Sequence, residues 1–435
     1  MKVSNYNFYF EFDNKRKLLY NSFTNSMALM ESDKYEQLVN FNEKKEQIPD
    51  AKLLEDLKMG GFIIEDNYSE FDEIKLRMLS GRFDTSSLGL TIAPTSDCNF
   101  RCVYCYEKDV IKEQNMSEEI QENIIEFVEG YAGSIKNLQV TWYGGEPLMA
   151  LDTIEKLSRK FIEICDKNNI IYNAGMITNG YLLNRNDIEL LNDLKVDFYQ
   201  ITIDGNKETH NQRRPLKGGE ETFDGILKNI EECFDILPNV ALRINVDRNN
   251  INGGDEIIAI LQEKNLLSKI KPYLGKVTND NDNPSLCNSC YTSNEFALED
   301  LNFNIRNTEL LGWNTKYPDL KMNFCGADSV NSFVINSDGM IYKCWNDIGI
   351  ESKAVGNIKD NIRRNTDVLY SYMLFEPAKD KCVKCKVLPN CMGGCPHYRV
   401  NNKEDDRCSV YKNALYEHIK YVAEQIINER AKVEQ

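Results

Sequence analysis

The sequence lacks any stretch that approaches the roughly 18 consecutive apolar residues that a membrane helix needs. Its first residues, MKVSNYNFYFEFDNKRK, contain no apolar core and no small-residue cleavage site, so they do not read as a secretory signal. Basic residues are also fewer than acidic residues. The 52 basic residues stand against 68 acidic ones, and the formal net charge of −16 makes general binding to a phosphate backbone a poor expectation. We therefore expect a soluble, cytoplasmic protein that binds neither nucleic acid nor membranes.

Cysteine, by contrast, is plentiful, with 14 in 435 residues. Because thiols stay reduced in the cytoplasm, metal ligands or catalytic thiols are better expectations than disulfides. Residues 1–87 contain none of the 14, whereas nine lie beyond residue 284. Cys165 and Cys233 fall at apolar positions of predicted helices, and we predict that they are small buried hydrophobes.

Three regions of the chain differ in character. Residues 1–87 read as strand, strand, helix, helix, strand, with the first helix expected over about 26–41. Residues 88–278 alternate strands and helices in about six βα units, which predicts an α/β fold with a parallel sheet. An open doubly wound sheet and a partial barrel both fit, and both place active residues at the carboxyl ends of strands. Residues 279–435 lose the alternation after a polar linker and end in a long amphipathic helix over about 409–432.

A three-cysteine loop follows the first strand of the alternating region. The segment PTSDCNFRCVYCYE has the spacing C-x3-C-x2-C, formed by Cys98, Cys102 and Cys105. Three thiolates on one short loop can hold three corners of a 4Fe–4S cube. No fourth cysteine is nearby, so one iron is left for an external ligand, and an open position is typical of catalytic metal sites. The alternative is a zinc loop with a distant fourth ligand, although zinc loops usually use paired C-x2-C units.

This loop resembles the C-x3-C-x-Φ-C signature of the radical S-adenosylmethionine (SAM) superfamily, with Tyr104 as the aromatic Φ. The resemblance implies that the amino and carboxylate groups of the methionine moiety chelate the open iron. One electron then cleaves the sulfonium, and the resulting 5′-deoxyadenosyl radical abstracts a hydrogen atom from substrate. We accordingly expect residues 88–278 to form a partial (β/α)6 TIM-type barrel.

Four later segments resemble cofactor contacts of the same family. The Gly-Gly-Glu-Pro turn after the next strand resembles its GGEP motif, in which glycines allow a close approach to the ligand and the carboxylate accepts from the methionine ammonium. Two further strand ends resemble positions that face the ribose and the methionine carboxylate, with ordinary turn chemistry as the alternative. The run His210-Asn-Gln-Arg-Arg resembles a His-x-x-Arg segment, and a surface charge is the alternative for its arginine. The predicted SAM contacts are Tyr104, Gly144, Gly145, Glu146, Pro147, Thr178, Asn179, Asp204 and Arg213.

The C-terminal cysteines resemble the seven-cysteine pattern of the SPASM domain, an addition found in radical enzymes that modify peptides. A zinc ribbon would need two C-x2-C pairs where the run from 382 to 395 has one. The resemblance implies two auxiliary 4Fe–4S clusters and therefore three clusters in all. It assigns the first auxiliary cluster to Cys325, Cys344 and Cys395. It assigns the second to Cys382, Cys385, Cys391 and Cys408. The C-x2-C unit of Cys287 and Cys290 departs from the pattern, and either thiol can be the fourth ligand of the first auxiliary cluster, a redox or substrate-facing thiol, or neither.

The resemblance leaves more than one reaction open. Anaerobic sulfatase maturases share the barrel and the SPASM domain and oxidise a serine or cysteine to formylglycine, but they generally begin close to the first cysteine loop. Maturases of ribosomally made peptides, such as the ranthipeptide and sactipeptide types, often begin with a winged-helix-like (RRE-like) domain that adds the leader peptide as an extra strand. Residues 1–87 fit that size and order, with a packing or dimerisation domain as the alternative.

We therefore predict a radical SAM/SPASM oxidoreductase with three consecutive domains, 1–87, 88–278 and 279–435. It abstracts a hydrogen from a precursor peptide and forms a crosslink, by preference a cysteine thioether, with electrons from a flavodoxin or ferredoxin. Carbon–carbon crosslinking, formylglycine formation and a non-catalytic electron-transfer protein with several clusters stay open. Epimerisation needs no net oxidation and fits two auxiliary clusters less well.

Overall fold

The computed structural model describes residues 1–278, 289–311, 318–360, 365–403 and 407–433. Contacts between Cα atoms divide the chain into two compact units. Unit 1 is formed by Met1–Arg82, Ser293–Cys325 and Phe375–Gln435, and unit 2 by Phe83–Thr292 and Gly326–Leu374. Each unit is thus assembled from separate stretches of chain, whereas the prediction from sequence used three consecutive domains. Those domain boundaries stay a prediction, and the predicted linker and Cys287 lie outside the described residues.

The helices and strands follow one another along the chain in three groups. The first group consists of β1 (Lys2–Val3), β2 (Asn7–Glu11), β3 (Arg16–Asn21), β4 (Ser26–Glu31), α1 (Ser32–Lys44), α2 (Ala51–Met59), β5 (Ile63–Ile64) and α3 (Glu70–Arg82). The alternating group consists of β6 (Ser87–Ile92), α4 (Glu118–Tyr131), β7 (Asn137–Trp142), α5 (Leu151–Asn168), β8 (Ile171–Thr178), α6 (Arg185–Asp193), β9 (Val196–Thr202), α7 (Lys207–Arg213), α8 (Phe223–Cys233), β10 (Asn239–Val246), α9 (Gly253–Glu263) and β11 (Ile270–Lys276). The last group consists of α10 (Ser293–Arg306), α11 (Thr308–Leu311), β12 (Ser332–Ile335), β13 (Met340–Tyr342), β14 (Gly356–Asn357), α12 (Thr366–Met373), α13 (Leu388–Cys391), α14 (Pro396–Val400) and α15 (Val410–Val433).

Unit 2 is built on one sheet whose strand order is β11-β10-β9-β8-β7-β6-β12-β13-β14. Strands β6 to β11 are parallel, and β12 adds to β6 in parallel before β13 and β14 pair antiparallel. The predicted α/β class with a mostly parallel sheet is confirmed. A doubly wound sheet reverses its strand order at a switch point. Strands β6 to β11 instead follow one another in chain order, as in a segment of a barrel.

Strands β6 to β11 have their carboxyl ends at one edge of the sheet because all six run the same way. On β6, Leu88, Leu90 and Ile92 are buried, and the intervening positions are more exposed. The neighbouring β7 buries Leu138, Val140 and Trp142 in the same alternation. This apolar face fixes the register, so the loops after β6, β7, β8, β9 and β10 meet at the same end of the sheet.

The first part of unit 1 is a three-stranded antiparallel sheet in the order β2-β3-β4. One face packs Leu19 and Met30 against α1 and α2, and the other packs Leu18 and Tyr20 against α15. Our prediction of a helix over about 26–41 is wrong at its start, because Ser26–Glu31 is a strand and the helix begins at Ser32. Strand β4 has apolar contacts on both faces, so its sequence SMALME shows no alternation of polar and apolar residues.

No helix in the described part of the chain is long and apolar enough to cross a membrane. Cys165 and Cys233 are each only 1% exposed, which confirms that they are buried.

Candidate functional site

The cysteine loop lies at the carboxyl end of β6, where the sheet places catalytic residues in folds of this kind. Cys98, Cys102 and Cys105 are partly buried and not bonded to one another. The backbone holds the loop in place: Val103 N donates to Arg213 O at 3.0 Å, and Arg101 N donates to Pro215 O at 2.9 Å. Backbone hydrogen bonds therefore connect the cysteine loop to the end of α7 and the residues after it, which come several strands later in the sequence.

Burial disfavours the ionised form of the thiols of this loop. Burial is the main cause that raises the pKa of Cys105, to about 12, and the negative charges of Glu107 and Cys102 add to it. Burial also raises the pKa values of Cys98 and Cys102. Thiolates are the metal-binding form, and a bound cation favours them. Three clustered thiols fit three corners of an iron–sulfur cluster.

The glycine pair after β7 lies against the cysteine loop itself. A Cβ on Gly145 would clash with Asp97 O, and one on Gly144 would meet Thr95 and Ala93. Glu146 N then donates to Asp97 O at 2.8 Å. The predicted approach of these glycines to a ligand stays a prediction. In this structure they allow two backbone segments to approach each other, which fixes the loop just before Cys98.

We expect Gly145→Ala to distort this contact and to destabilise the protein by about 1–3 kcal/mol, because backbone on both sides has no room for a methyl group. Iron bound by the three-cysteine loop should fall in parallel, measured as the iron content after anaerobic reconstitution. Gly133→Ala is the matched control, since a Cβ there meets no atom within 4 Å. Equal iron contents in the two variants would contradict the assigned role of Gly145.

Glu146 connects the ends of β7 and β8. Its carboxylate is 1% exposed and accepts from Thr178 Oγ1 at 2.7 Å, Asn179 N at 2.8 Å and Leu148 N at 3.1 Å. Burial raises the pKa of Glu146, and the hydrogen bonds from Asn179 and Thr178 oppose that rise. Pro147 begins a short helical turn after it. The structure thus brings together Glu146, Thr178 and Asn179, whose amide also donates to Asn99 Oδ1 of the cysteine loop at 2.7 Å.

Asp204 and Arg213 form a second polar group at the end of β9. Asp204 is fully buried and accepts from Tyr104 Oη at 2.5 Å and from Arg213 Nε at 3.3 Å. Arg213 also donates through Nη1 to Asp247 at 2.8 Å. Its guanidinium carbon lies 5.0 Å from the centre of the Tyr104 ring. The charge of Arg213 is therefore shared between two buried carboxylates of the protein.

Arg214, which we did not select from the sequence, is differently placed. It is 7% exposed, and its Nη1 donates to Tyr104 Oη at 2.7 Å. Its Nε is buried and has no hydrogen-bond partner among the described residues. The charge of Arg214 acts on Cys102, where it opposes the rise in that thiol's pKa. A buried cation with an unused donor beside the cysteine loop fits an anionic ligand such as a carboxylate. The sequence alone gives no signal that distinguishes Arg214 from its neighbour Arg213.

A buried acidic group beside Cys105 was also missed. Glu107 is 6% exposed and hydrogen-bonds with the hydroxyls of Tyr106 and Tyr143, which also contact each other. Burial raises the pKa of Glu107 to about 7. The ring of Tyr143 stacks on Trp345 with centroids 5.8 Å apart. The sequence carries a signal for this group, because Tyr106 directly follows Cys105 and Tyr143 directly precedes Gly144.

The cysteines predicted for the second auxiliary cluster, Cys382, Cys385, Cys391 and Cys408, all belong to unit 1. Two of them receive hydrogen bonds from cations: Arg407 Nη2 donates to Cys382 Sγ at 3.3 Å, and Lys412 Nζ donates to Cys408 Sγ at 3.5 Å. Cationic donors to sulfur suit thiolates that hold a metal cluster.

The other predicted ligands are divided between the two units. Cys325 and Cys395 belong to unit 1, and Cys344 belongs to unit 2, so their assignment to the first auxiliary cluster stays a prediction. Cys290 is described and partly buried, whereas Cys287 lies outside the described residues. Across the described ranges, no three His, Cys, Asp or Glu side chains converge as they would around a single metal ion. A 4Fe–4S cluster spreads its thiolates around a cube, which is a different arrangement.

Comparison with protein families identifies the segment that carries this geometry. Residues 92–258 match the family described as "Radical SAM superfamily". This segment is a radical SAM domain. It runs from the end of β6 into α9 and contains the cysteine loop, Glu146, Asp204 and Arg214. The family implies a 4Fe–4S cluster and SAM at this site.

Curated relatives of the radical SAM domain differ in how much of this chain they share. The Fe-coproporphyrin III synthase of Methanosarcina barkeri is 26% identical over 174 residues, and the chain spans 40% of that relative's length. The cysteine-type anaerobic sulfatase-maturating enzyme of Clostridium novyi is 25% identical over 78% of this chain and 98% of its own. The serine-type enzyme of Bacteroides thetaiotaomicron is 23% identical over 75% of this chain and 87% of its own.

Solved structures extend the likeness beyond the radical SAM domain. Native anSMEcpe with bound AdoMet matches with a TM-score of 0.59 and 21% identity, over 80% of this chain and 100% of that chain. Streptococcus suis SuiB bound to precursor peptide SuiA matches with a TM-score of 0.56 and 14% identity, over 94% and 99% of the respective chains. At these identities the likeness establishes the fold.

Proposed function

We propose that this protein is a radical SAM peptide maturase, which abstracts a hydrogen atom from a ribosomally made precursor peptide and forms a thioether crosslink at a cysteine. The observation that carries the proposal is the edge of strand β4, which has no partner strand among the described residues, in a chain that also contains a radical SAM domain. An open strand edge is a binding site for an extended peptide. The fold of SuiB, a protein solved with its precursor peptide, extends over 94% of this chain and supports this assignment.

The two edges of the three-stranded sheet are not equivalent. On β2, Asn7 O accepts from Lys386 Nζ at 2.8 Å and Glu11 O accepts from Tyr416 Oη at 3.1 Å, so side chains already use this edge. Within the described residues, β4 pairs with β3 alone. In an antiparallel pair, every second residue of a strand bonds to its partner strand. The hydrogen bond that Ser32 N donates to Lys15 O shows which residues of this segment bond to β3. It follows that Met27, Leu29 and Glu31 direct their N–H and C=O groups away from β3.

The site in unit 2 supports radical chemistry at the cysteine loop. Cys98, Cys102 and Cys105 would hold the cluster, which supplies one-electron cleavage of SAM when bound. Glu146 is fixed by Thr178 and Asn179, and it orients the turn that holds the cysteine loop. Arg214 offers its buried Nε to an anionic group of the ligand. Glu107, beside Cys105, is a buried acid that contacts the hydroxyls of Tyr106 and Tyr143.

The proposal also includes the path of the electrons and the mass of the product. Two auxiliary clusters, held by the SPASM cysteines, would accept the electron that oxidative crosslinking releases. A flavodoxin or ferredoxin would supply the electron that starts each turnover. Loss of one hydrogen atom and one further electron and proton from the peptide makes the product two hydrogens lighter than the precursor.

A second candidate is a formylglycine-forming maturase. It is favoured by the match to the sulfatase-maturating enzyme of Clostridium novyi over 98% of that protein's length. The two candidates predict different peptide products. A thioether crosslink removes two hydrogens and keeps the sulfur, whereas formylglycine formation at a cysteine replaces the thiol with a carbonyl group. Mass spectrometry of a cysteine-containing precursor after anaerobic turnover therefore separates them.

The peptide-binding role of β4 is tested with Leu29→Pro, which removes an outward N–H from this edge. We expect the Kd for a precursor peptide to rise about tenfold, because one backbone hydrogen bond is lost and the ring obstructs its neighbour. Fluorescence anisotropy with a labelled precursor measures the change. Tyr9→Pro, the same kind of substitution on the β2 edge, is the matched control and should leave the Kd unchanged. Equal effects at both edges, in variants with wild-type thermal stability, would exclude β4 as the binding edge.

A further inference from the structure

Three arginine side chains surround the ring of Phe375 in unit 1. The guanidinium carbons of Arg399, Arg82 and Arg407 lie 4.2, 5.4 and 6.0 Å from its centre. All three side chains are buried, and Arg82 and Arg407 are almost completely so. Guanidinium groups rest favourably on an aromatic face, and this contact holds them in fixed positions. A chain with a formal net charge of −16 thus places three buried cations beside its C-terminal cysteines.

Arg407 is held from several sides. It forms an ion pair with Asp380, with Nη1 to Oδ2 at 3.1 Å, and Asp380 Oδ1 in turn accepts from Cys382 N at 3.0 Å. The backbone carbonyl of Arg407 accepts from Cys395 N at 2.8 Å. A Cβ on Gly394 would clash with that carbonyl, so only glycine allows this contact. One residue therefore fixes the backbone on both sides of the cysteine run.

The guanidinium of Arg407 also reaches a sulfur. Its Nη2 donates to Cys382 Sγ at 3.3 Å, and Lys412 Nζ donates to Cys408 Sγ at 3.5 Å. Two of the four thiols proposed for the second auxiliary cluster thus receive a hydrogen bond from a cation. Hydrogen bonds to the sulfurs and nearby positive charge both favour the more negative state of an iron–sulfur cluster.

We propose that Arg407, with Lys412, stabilises the reduced state of the cluster held by Cys382, Cys385, Cys391 and Cys408 and so raises its reduction potential. The inference rests on the proposed function, because it requires that cluster. Reduction adds one electron and neither forms nor breaks a bond. The added negative charge is stabilised by the two cationic donors, so removing either should make reduction harder. Arg407 is a positioning residue, since it acts through the thiolates.

The test is a potentiometric titration of the full chain, reduced with dithionite and followed by electron paramagnetic resonance. Cys98, Cys102 and Cys105 are replaced with alanine to remove the first cluster, and the relevant signal is the one that Cys382→Ala abolishes. At a fixed potential, we expect Arg407→Gln to lower the ratio of reduced to oxidised cluster about tenfold, which is about 59 mV for a one-electron couple. Arg407→Lys keeps the charge and should recover most of the ratio.

Two further variants keep the test independent of folding. Lys412 is exposed, so Lys412→Gln should fold normally and change the ratio in the same direction by about threefold. Arg430→Gln, an exposed position at the far end of α15, is the matched control and should change nothing. Unchanged or increased ratios in Arg407→Gln and Lys412→Gln, with iron retained, would overturn the inference and leave the proposed function standing. A wild-type chain without a Cys382-dependent iron–sulfur signal, or with zinc in its place, would overturn the inference and the second auxiliary cluster of the proposed function, but not the radical SAM site in unit 2.

Discussion

Arg213→Met should lower the free energy of unfolding by about 3–5 kcal/mol, because it leaves Asp204 and Asp247 as buried carboxylates without their cation. Asp204 has no exposed surface and Asp247 is nearly as buried, so water cannot replace the lost charge. The loss should therefore appear as a fall in thermal stability of the whole of unit 2, measured by calorimetry or circular dichroism.

The control for this prediction is Arg185→Met, which removes an exposed ion pair with Asp235. Surface pairs contribute about 0–1 kcal/mol, so this variant should stay close to the wild type. Arg213→Met with the stability of Arg185→Met would show that Asp204 and Asp247 do not depend on Arg213.

Arg214→Met should act on ligand binding. The side chain makes one hydrogen bond to Tyr104 and keeps a buried Nε without a partner in the described part of the chain, so the fold loses little. If Nε serves the carboxylate of SAM, its loss should cost at least about 2 kcal/mol of binding, which is roughly a thirtyfold increase in Kd. Equilibrium dialysis on the anaerobically reconstituted protein measures this Kd.

Two comparisons make the Arg214 result decisive. Arg214→Lys retains a positive charge and should recover part of the affinity, although it loses the planar fork of the guanidinium. The iron content must match the wild type, so that a weaker Kd reports on the ligand and not on the cluster. A Kd for Arg214→Met within threefold of the wild type would assign the ligand carboxylate to another residue.

The cysteine spacing and the strand alternation were sufficient to predict the α/β class of the central part and the strand that precedes the cysteine loop. Cys98, Cys102 and Cys105 follow a strand in the sequence, and the structure places them at the carboxyl end of that strand. The order of β6 to β11 comes from the structure, because a doubly wound sheet and a partial barrel both fit six βα units. Thr178, Asn179 and Glu146 were selected as strand-end residues, and the parallel register brings them into hydrogen-bond contact.

Other features depended on contacts that one sequence does not show. The prediction of a helix from residue 26 fails because the residues of β4 face two apolar layers, α1 and α2 on one side and α15 on the other, and α15 is far away in the chain. The ion pairs of Arg213 with Asp204 and Asp247 are not visible from spacing, and its contact with SAM stays a prediction. The close approach of Gly145 to Asp97 O is not visible either, because Asp97 belongs to a loop of irregular structure.

The formation of 5′-deoxyadenosine tests the central claim most directly. The full chain is reconstituted anaerobically with iron and sulfide, mixed with SAM and dithionite, and the products are quantified by liquid chromatography. We predict that the wild type and Cys165→Ala, a buried cysteine outside the loop, release 5′-deoxyadenosine, whereas Cys102→Ala releases none above the protein-free background. Absence of 5′-deoxyadenosine from iron-replete wild type, or equal release by Cys102→Ala, would contradict radical chemistry at this loop.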